Sequence, residues 1–304
     1  MIFFLTVHWK TDYWIEAQYD AIVRTTSCPF EVHTIVDTEI DTTYTGTRSH
    51  FGSWQVSNEV SHAVKLDALA ELACEKAVSP GDLLVFLDSD ALPLDGWEVA
   101  VLELLTRHEV VAIERHEFGG DDFSHPSFCV LTVSDWVRAG GQWSDRASWE
   151  NSNGTVVRKV GSGLSQKFLD SGMSRHALKR SNKIEFFPPF FAVYGDIVYH
   201  HTAGSYPKQA HRNVQQSLFQ PKLLGLSAKF LRLIGSARLS RSNPWRLLNQ
   251  TELFVRASVR GNSDWPARLV SKSHWLRLFT RARGSVRFLP AKFFRVYSAH
   301  ERKE

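Results

Sequence analysis

Residues 82–90 read Asp-Leu-Leu-Val-Phe-Leu-Asp-Ser-Asp, which is five uninterrupted apolar residues followed by two carboxylates one residue apart. An apolar run of this length is typical of a strand buried on both faces of a parallel sheet. The turn-forming residues 79–82, Ser-Pro-Gly-Asp, give the strand a clear start. Because ligands of open α/β sheets bind beyond the carboxyl ends of the strands, we expect Asp88 and Asp90 to lie at a ligand-binding edge.

Two carboxylates so close together repel each other unless a positive charge lies beside them. Hard divalent cations prefer carboxylate oxygens and often complete their coordination shell with phosphate oxygens. An Asp-x-Asp at a strand end is more commonly a turn and helix cap, but the buried strand that precedes it favours a metal site. The pair therefore predicts a divalent cation bound near a phosphate-bearing ligand.

Residues 84–93, Leu-Val-Phe-Leu-Asp-Ser-Asp-Ala-Leu-Pro, resemble the Asp-x-Asp segment of GT-A-fold, nucleotide-sugar-dependent glycosyltransferases. In that family the segment binds the divalent metal and the donor diphosphate. The resemblance implies that Asp88, Ser89 and Asp90 contact the donor, that Asp88 and Asp90 also bind the metal, and that the cofactor is Mn²⁺ or Mg²⁺. It extends over about residues 1–210 in the order of motifs.

The order of apolar runs predicts an α/β fold. Residues 2–7 and 31–37 are typical of buried strands, and residues 12–24 between them are typical of an amphipathic helix. Strand, helix and strand over this distance predict a right-handed βαβ unit. Residues 57–77 carry the clearest helical stripe, and residues 41–55 predict a loop. We therefore expect a mostly parallel sheet flanked by helices.

The first two strands are expected to hold the donor nucleotide. The resemblance places Thr6, His8 and Asp37 near the nucleoside, and it makes Lys65 a candidate phosphate contact. From the residues alone, Asp37 could equally be a turn residue and Lys65 could belong to a solvated helix face. Neither a Gly-x-Gly-x-x-Gly motif nor a P-loop lysine is present, which argues against dinucleotide and P-loop sites. A UDP-linked donor is favoured over a GDP-linked one.

The region after the metal motif shapes the acceptor pocket in GT-A enzymes. The resemblance therefore implies acceptor contacts for His125 and Trp143. An inverting transferase also needs a general base on the acceptor hydroxyl, and Asp145 and Glu150 are the candidates in this region. The alternative for either carboxylate is an ordinary solvated loop residue, so retention or inversion of the anomeric configuration stays open.

Residues 197–208 form a second informative segment, Ile-Val-Tyr-His-His-Thr-Ala-Gly-Ser-Tyr-Pro-Lys. In many GT-A enzymes a late His-x-x-Gly supplies the third metal ligand, and a lysine shortly afterwards contacts the diphosphate. The resemblance favours His201 over His200 as the ligand because Gly204 lies three residues beyond His201, and it makes Lys208 the diphosphate contact. The alternative is that the histidine pair is structural or lies at the surface.

The charge divides the chain into two parts. Residues 1–221 contain 18 basic and 28 acidic residues, whereas residues 222–304 contain 18 basic and 4 acidic residues. We expect a catalytic domain over 1–221 and a basic, aromatic-rich, mainly helical appendage over 222–304. Aromatic residues interleaved with arginine fit a helix at an anionic membrane surface. Nucleic-acid binding, packing on the catalytic domain and a homo-oligomer contact are the alternatives.

Cysteine usage and hydropathy indicate a location. Cys28, Cys74 and Cys129 are widely spaced and suggest neither a metal cluster nor a disulfide framework, which favours a reducing, cytoplasmic setting. The first seven residues lack a basic leader and a cleavage site and predict a strand. No run reaches the roughly 18 apolar residues of a membrane span. The expected location is cytoplasmic, with peripheral attachment to the inner face of the membrane.

These observations predict a metal-dependent glycosyltransferase, as used in polysaccharide biosynthesis. It would move a sugar from a nucleotide diphosphate to a hydroxyl of a glycan or lipid-linked acceptor. A sugar-phosphate nucleotidyltransferase is an alternative, but residues 6–9, Thr-Val-His-Trp, lack the Gly-rich loop and basic residue expected there. A non-enzymatic protein that binds a membrane or nucleic acid is the other alternative, since a fold alone does not establish activity.

Overall fold

The computed structural model places the Asp-x-Asp segment at the end of a strand inside a large mixed sheet. Residues 202–304 lie outside its described part, and with them Lys208 and the whole basic segment 222–304. The boundary after residue 221 and the contacts proposed for that segment therefore stay predictions. No helix in the described part has the length and apolar character of a membrane span. The described residues are 1–10, 12, 14–116, 121–145, 147–181 and 192–201.

Strands and helices alternate along most of the described chain. The strands are β1 (Ile2–His8), β2 (Phe30–Val36), β3 (Ser53–Val56), β4 (Leu83–Asp88), β5 (Ala91–Pro93), β6 (Val110–Arg115), β7 (Asp121–Thr132), β8 (Trp149–Glu150), β9 (Val156–Val157), β10 (Arg175–Leu178), β11 (Ala192–Tyr194) and β12 (Val198–His200). The helices are α1 (Ile15–Thr25), α2 (Thr38–Thr43), α3 (His62–Lys76), α4 (Trp97–Leu105), α5 (Val133–Arg138) and α6 (Ser162–Asp170).

The central sheet has seven strands in the order β10-β6-β7-β4-β1-β2-β3. β1 pairs in parallel with both β2 and β4, β2 pairs in parallel with β3, and β6 pairs in parallel with β10. Only β7, among the strands of this sheet in the described residues, runs antiparallel to its neighbours β4 and β6. The predicted α/β fold with a mostly parallel sheet flanked by helices is confirmed.

Both faces of the sheet are covered, which explains the continuous apolar runs. Alternate residues of β1 pack against different layers: Phe3 and Leu5 contribute to the core that includes α3 and α6, whereas Phe4 contributes to the core that includes α1 and α4. The four residues Leu84, Val85, Phe86 and Leu87 are fully buried. Each such side chain contributes about 1.5–3 kcal/mol of transfer free energy.

The register brings three strand ends to one edge. In β1, Val7 lies opposite Asp88 of β4, and His8 lies opposite Val36 of β2. The carboxyl ends of these parallel strands therefore meet at the same edge, where ligands of open α/β sheets bind.

A small second sheet brings the two informative sequence segments together. β5 follows the Asp-x-Asp directly and pairs antiparallel with β12, with Ala91 opposite His200 and Pro93 opposite Val198. β11 pairs with the other side of β12. Residues that are about 110 positions apart in the sequence are therefore neighbours at the edge of the sheet.

Two predicted boundaries differ from the structure. The stretch predicted as a loop over 41–55 contains the edge strand β3, whose Trp54 ring stacks on Tyr44 with a centroid separation of 4.9 Å. The helix predicted from residue 57 begins at His62, because the side chain of Ser61 accepts a hydrogen bond from the backbone N–H of Val64 and caps the helix there.

Candidate metal and nucleotide site

Three ligand-type side chains meet at the end of β4. Asp88, Asp90 and His200 each offer one ligand atom, and these atoms all lie within 4.8 Å of one another. His200 Nε2 is 3.3 Å from Asp90 Oδ1 and 3.6 Å from Asp88 Oδ2. Ligands about 2.1 Å from an octahedral ion lie about 3 Å apart when adjacent and about 4 Å apart when opposite. The cluster therefore has the spacing and donor set to hold a divalent cation.

The third member of the cluster is His200, whereas the spacing argument favoured His201. Successive side chains of an extended segment point to opposite faces, so the two histidines diverge. His201 is 2% exposed, its Nδ1 lies 2.8 Å from the Tyr199 hydroxyl, and its ring centroid lies 4.7 Å from that of Trp14. Its backbone N–H donates to the carbonyl of Asp90 at 3.0 Å. His201 therefore holds the Asp-Ser-Asp turn through its backbone N–H, while its side chain packs against Trp14 and Tyr199.

Asp88 also contacts a second histidine. His62 is the first residue of α3, and its Nε2 lies 3.1 Å from Asp88 Oδ1. The Asp88 carboxylate therefore lies between the imidazoles of His62 and His200. His62 was not predicted as a site residue, although it interrupts the apolar pattern near the start of the helix. Ser89, between the two aspartates, is 3% exposed.

The residues predicted near the nucleoside on β1 are buried. Thr6 is fully buried, and its carbonyl accepts a hydrogen bond from the Thr34 hydroxyl at 3.3 Å. His8 is 1% exposed. Burial lowers the pKa of His8 to about 4, although the negative charge of Asp90 and a hydrogen bond with Gln18 act in the opposite direction. His8 is therefore a neutral imidazole beneath the metal cluster at neutral pH.

A pocket of about 240 Å³ opens beside the ends of β1 and β2. Asp37 caps α2 there: Oδ1 accepts from the Ile40 N–H at 2.9 Å, and Oδ2 accepts from the Lys10 N–H at 2.7 Å. Asp37 is thus a helix-capping residue at the turn that also lines this pocket. The pocket is lined by Trp9, Lys10, Asp37, Glu39, Asn58, Glu59 and Lys65.

Lys65 is the charged group held inside this pocket. Its side chain is 2% exposed, and its Nζ lies 4.1 Å from the ring centroid of Trp9, within cation–π range. The ammonium has no hydrogen-bond partner within the described residues. Burial lowers the pKa of Lys65, while Asp37 and Glu59 act in the opposite direction. Lys65 is therefore not part of a solvated helix face. Trp9 was not predicted as a site residue.

On the other side of the cluster, His125 borders the metal site. Its ring centroid is 6.2 Å from that of His200, its Nε2 is 3.0 Å from Arg115 Nη1, and its Nδ1 contacts the Ser127 hydroxyl. Burial, followed by the charge of Arg115, lowers the pKa of His125 well below the usual value. The ring is neutral, so its Nε2 accepts from the guanidinium. Arg115 was missed in the sequence.

The remaining predicted acceptor-side residues have other contacts. Trp143 is 1% exposed and packs in the core, so its ring does not face a ligand. Asp145 Oδ1 accepts from the Ala147 N–H at 2.8 Å, and its Oδ2 lies 3.4 Å from Lys167 Nζ. Glu150 is exposed in the short hairpin of β8 and β9. Asp145 thus lies in a loop and Glu150 in a short strand, and neither belongs to the cluster of Asp88, Asp90 and His200.

No protein-family model matches this sequence, and comparison with curated proteins finds no match either. Similar solved structures include Staphylococcus aureus TarS (11% identity, TM-score 0.41, 93% of this chain and 52% of that one). They include TarS 1–349 in complex with UDP-GlcNAc (10% identity, TM-score 0.40, 93% and 87%). They also include the mannosyltransferase PcManGT from Pyrobaculum calidifontis with GDP-Man and Mn²⁺ (12% identity, TM-score 0.41, 99% and 79%). This chain therefore spans about half the length of the first of these TarS chains.

Proposed function

We propose that this chain is a metal-dependent glycosyltransferase that moves a sugar from a nucleotide diphosphate to a hydroxyl of a glycan or lipid-linked acceptor. The observation that carries the proposal is the meeting of Asp88, Asp90 and His200 at the carboxyl edge of the sheet. A pocket containing the buried cation of Lys65 opens at the same edge. A metal-ligand set beside a pocket that holds a buried ammonium suits a diphosphate, and the resemblance of the Asp-x-Asp segment points to the same class.

Asp88, Asp90 and His200 would hold the cation, and their donor set bears on its identity. Carboxylate oxygens suit Mg²⁺ and Mn²⁺ alike, whereas an imidazole nitrogen suits later and softer metals. The mixed set therefore favours Mn²⁺ over Mg²⁺. When bound, the ion would supply Lewis-acid stabilisation of the charge that develops on the leaving diphosphate.

The pocket beside β1 and β2 would hold the nucleoside end of the donor. Trp9 offers an aromatic face, Lys65 offers a positive charge, and Asp37 is held in a fixed orientation by two backbone N–H groups. A fixed cation that replaces water around a phosphate stabilises negative charge more than a solvated one does. The limited volume of about 240 Å³ is consistent with the smaller base of a UDP-linked donor.

The acceptor would lie on the side of His125 and Arg115. His125 is neutral and held between Arg115 and Ser127, so it can orient a hydroxyl without adding charge. Asp145 and Glu150 stay the candidates for the base of an inverting reaction, and Asp145 Oδ2 lies 3.4 Å from Lys167 Nζ.

Titration calorimetry on the full chain tests the proposal. UDP and GDP are titrated in the presence of Mn²⁺, Mg²⁺ or EDTA, and a panel of nucleotide sugars is then screened for donor hydrolysis. We expect nucleotide binding that requires metal, tighter binding with Mn²⁺ than with Mg²⁺, and release of a nucleoside diphosphate from at least one donor. Binding that is equal in Mn²⁺ and EDTA would remove the metal-dependent mechanism.

The basic segment 222–304 is proposed to attach the protein to the inner face of a membrane. The support is its excess of 18 basic over 4 acidic residues, because each basic residue near an anionic surface contributes about 1 kcal/mol. The full chain should sediment with vesicles that contain anionic lipid, lose that binding at high salt, and remain in solution with neutral vesicles. Equal partitioning onto both vesicles would contradict this attachment.

A further inference from the structure

A buried glutamine supports the turn that carries the two aspartates. Gln18 lies on α1 and is 2% exposed. Its Nε2 donates to the carbonyl oxygen of Asp88 at 2.7 Å and to that of Ala91 at 2.8 Å. A primary amide has two N–H groups, and here both are directed at carbonyls that flank Ser89 and Asp90. One side chain thus bridges the two ends of the metal-binding turn.

The orientation of this amide is fixed from the other side by His8. The side chains of Gln18 and His8 are hydrogen-bonded to each other. Because both N–H groups of Gln18 go to carbonyls, its Oε1 is the atom that remains to accept a proton from the ring. A ring N–H of His8 is therefore the donor. α1, β1 and the turn are thereby joined through one amide.

This support acts against a repulsion inside the site. The carboxylates of Asp88 and Asp90 both lie within 3.6 Å of His200 Nε2, and two like charges so close tend to separate when no cation lies between them. Moving the turn by a fraction of an ångström would change both carboxylate positions together. Groups that orient metal ligands from behind commonly affect metal affinity by 10–100-fold.

We propose that Gln18 is a positioning residue that holds the Asp-Ser-Asp turn in its metal-binding geometry, acting through the carbonyls of Asp88 and Ala91. His8 sets the direction of the Gln18 amide. The inference rests on the proposed metal site and adds to it a residue that touches neither the ion nor the substrate.

The test measures Mn²⁺ affinity of the full chain by calorimetry and by the spin-resonance signal of free Mn²⁺. Gln18→Met keeps the length of the side chain and removes both N–H donors, so we expect Mn²⁺ to bind about 10–100-fold more weakly. The control is Leu69→Ala on α3, which removes a fully buried side chain from the core on the opposite face of the sheet. It should lower the melting temperature at least as much and leave Mn²⁺ affinity unchanged.

A second variant covers the case in which Gln18→Met does not fold. His8→Phe keeps an aromatic ring and removes the N–H that fixes the amide, so we expect a smaller loss of Mn²⁺ affinity. Wild-type affinity in Gln18→Met, or an equal loss in Leu69→Ala, overturns the inference. Wild-type affinity in His8→Phe overturns it where Gln18→Met is unfolded. If the wild-type chain itself fails to bind Mn²⁺, the proposed function fails as well, which separates the two results.

Discussion

Two groups of carboxylates lie at the same edge of the sheet, and they have different partners. Asp88 and Asp90 contact imidazoles at the end of β4. At the ends of β6 and β7, Glu114 lies 2.5 Å from a guanidinium nitrogen of Arg175 and 2.7 Å from His116 Nε2, and Asp121 lies 2.6 Å from the ammonium of Lys159. We call Asp88 and Asp90, together with His200, the metal cluster, and Glu114 and Asp121, together with Arg175 and Lys159, the paired cluster.

The difference indicates which carboxylates are available to a ligand. Guanidinium and ammonium groups have no lone pair, so they neutralise a carboxylate without being able to join it in binding a metal. A neutral imidazole can coordinate a cation together with the carboxylates. Each carboxylate of the paired cluster is therefore neutralised by a cation of the protein that cannot share a metal with it, whereas the ligand atoms of the metal cluster have the spacing to hold an added cation. The predictions below test this contrast.

The largest effect is expected from Asp90→Asn. Removing one charge from the metal cluster should abolish measurable Mn²⁺ binding and donor turnover. Because the same change removes a like-charge repulsion, stability in EDTA should stay the same or increase. Calorimetry gives the first quantity and urea unfolding gives the second. Asp95→Asn, an exposed residue of the next turn, is the matched control and should alter neither. A large loss of stability in Asp90→Asn would place it with the paired cluster.

In the paired cluster, Glu114→Ala should lower stability and leave metal binding unchanged, which is the reverse of the effect expected for Asp90→Asn. This change leaves the largely buried guanidinium of Arg175 without its carboxylate, and breaking a buried pair costs about 3–5 kcal/mol. Mn²⁺ affinity should remain near wild type. Glu103→Ala breaks an exposed pair with Arg107 and should change the free energy of unfolding by no more than about 0.5 kcal/mol. Loss of metal binding in Glu114→Ala would contradict the separation of the two clusters.

His8, which contacts the side chain of Gln18 behind the Asp-Ser-Asp turn, and His116, which contacts Glu114, should have opposite effects on the pH dependence of stability. The pKa of His8 falls to about 4 on folding. The stabilising contribution of neutral His8 to the free energy of unfolding is therefore complete above the unfolded pKa of about 6.5, and it is lost as pH falls towards 4. The loss is at most about 3 kcal/mol. Glu114 raises the pKa of His116, so the contribution of His116 is present at low pH and is lost as pH rises. In urea unfolding with EDTA, His8→Phe should flatten the pH dependence of the free energy of unfolding between about pH 4 and 6.5, and His116→Phe should remove a decline above about pH 6.5.

The fold could be predicted because a strand that is buried on both faces requires a continuous apolar run, which is visible in the local sequence. The apolar runs at β1, β2 and β4, and the aspartates that end β4, are all recognisable without knowing what packs on them. The sequence of β3 lacks such a run, because one side of this strand has no neighbouring strand among the described residues and none of its residues is fully buried.

The site could be predicted only where it depends on local sequence. The choice between His200 and His201 depends on which residue of β12 lies opposite Ala91 of β5, and that register is a tertiary property. Trp143 looked available to a ligand, but its backbone N–H donates to Asp67 Oδ1 at 2.6 Å and anchors the segment to α3. Pairing between distant segments, rather than propensity, decided both cases.

A pair of matched variants sharpens the assignment within the metal cluster. His200→Gln removes a ligand nitrogen, so Mn²⁺ should bind at least about tenfold more weakly. His201→Gln removes a buried ring that packs against Trp14, so it should lower the melting temperature while Mn²⁺ affinity changes less. The two affinities are compared by calorimetry in the same buffer. The reverse order would restore the assignment suggested by the His-x-x-Gly spacing.

The smallest expected effect separates the pocket from the metal cluster. Lys65→Met keeps the long apolar stem and removes a buried ammonium that lacks a hydrogen-bond partner among the described residues. Burying such a charge costs free energy, so the variant should be at least as stable as wild type. Nucleotide diphosphate binding should weaken about tenfold, the effect of about one charge-assisted hydrogen bond, while affinity for Mn²⁺ alone is unchanged. Lys76→Met on the exposed end of α3 is the control. Equal nucleotide affinity in both variants would mean that Lys65 does not contact the diphosphate. The pocket would then be a structural feature beside the metal cluster.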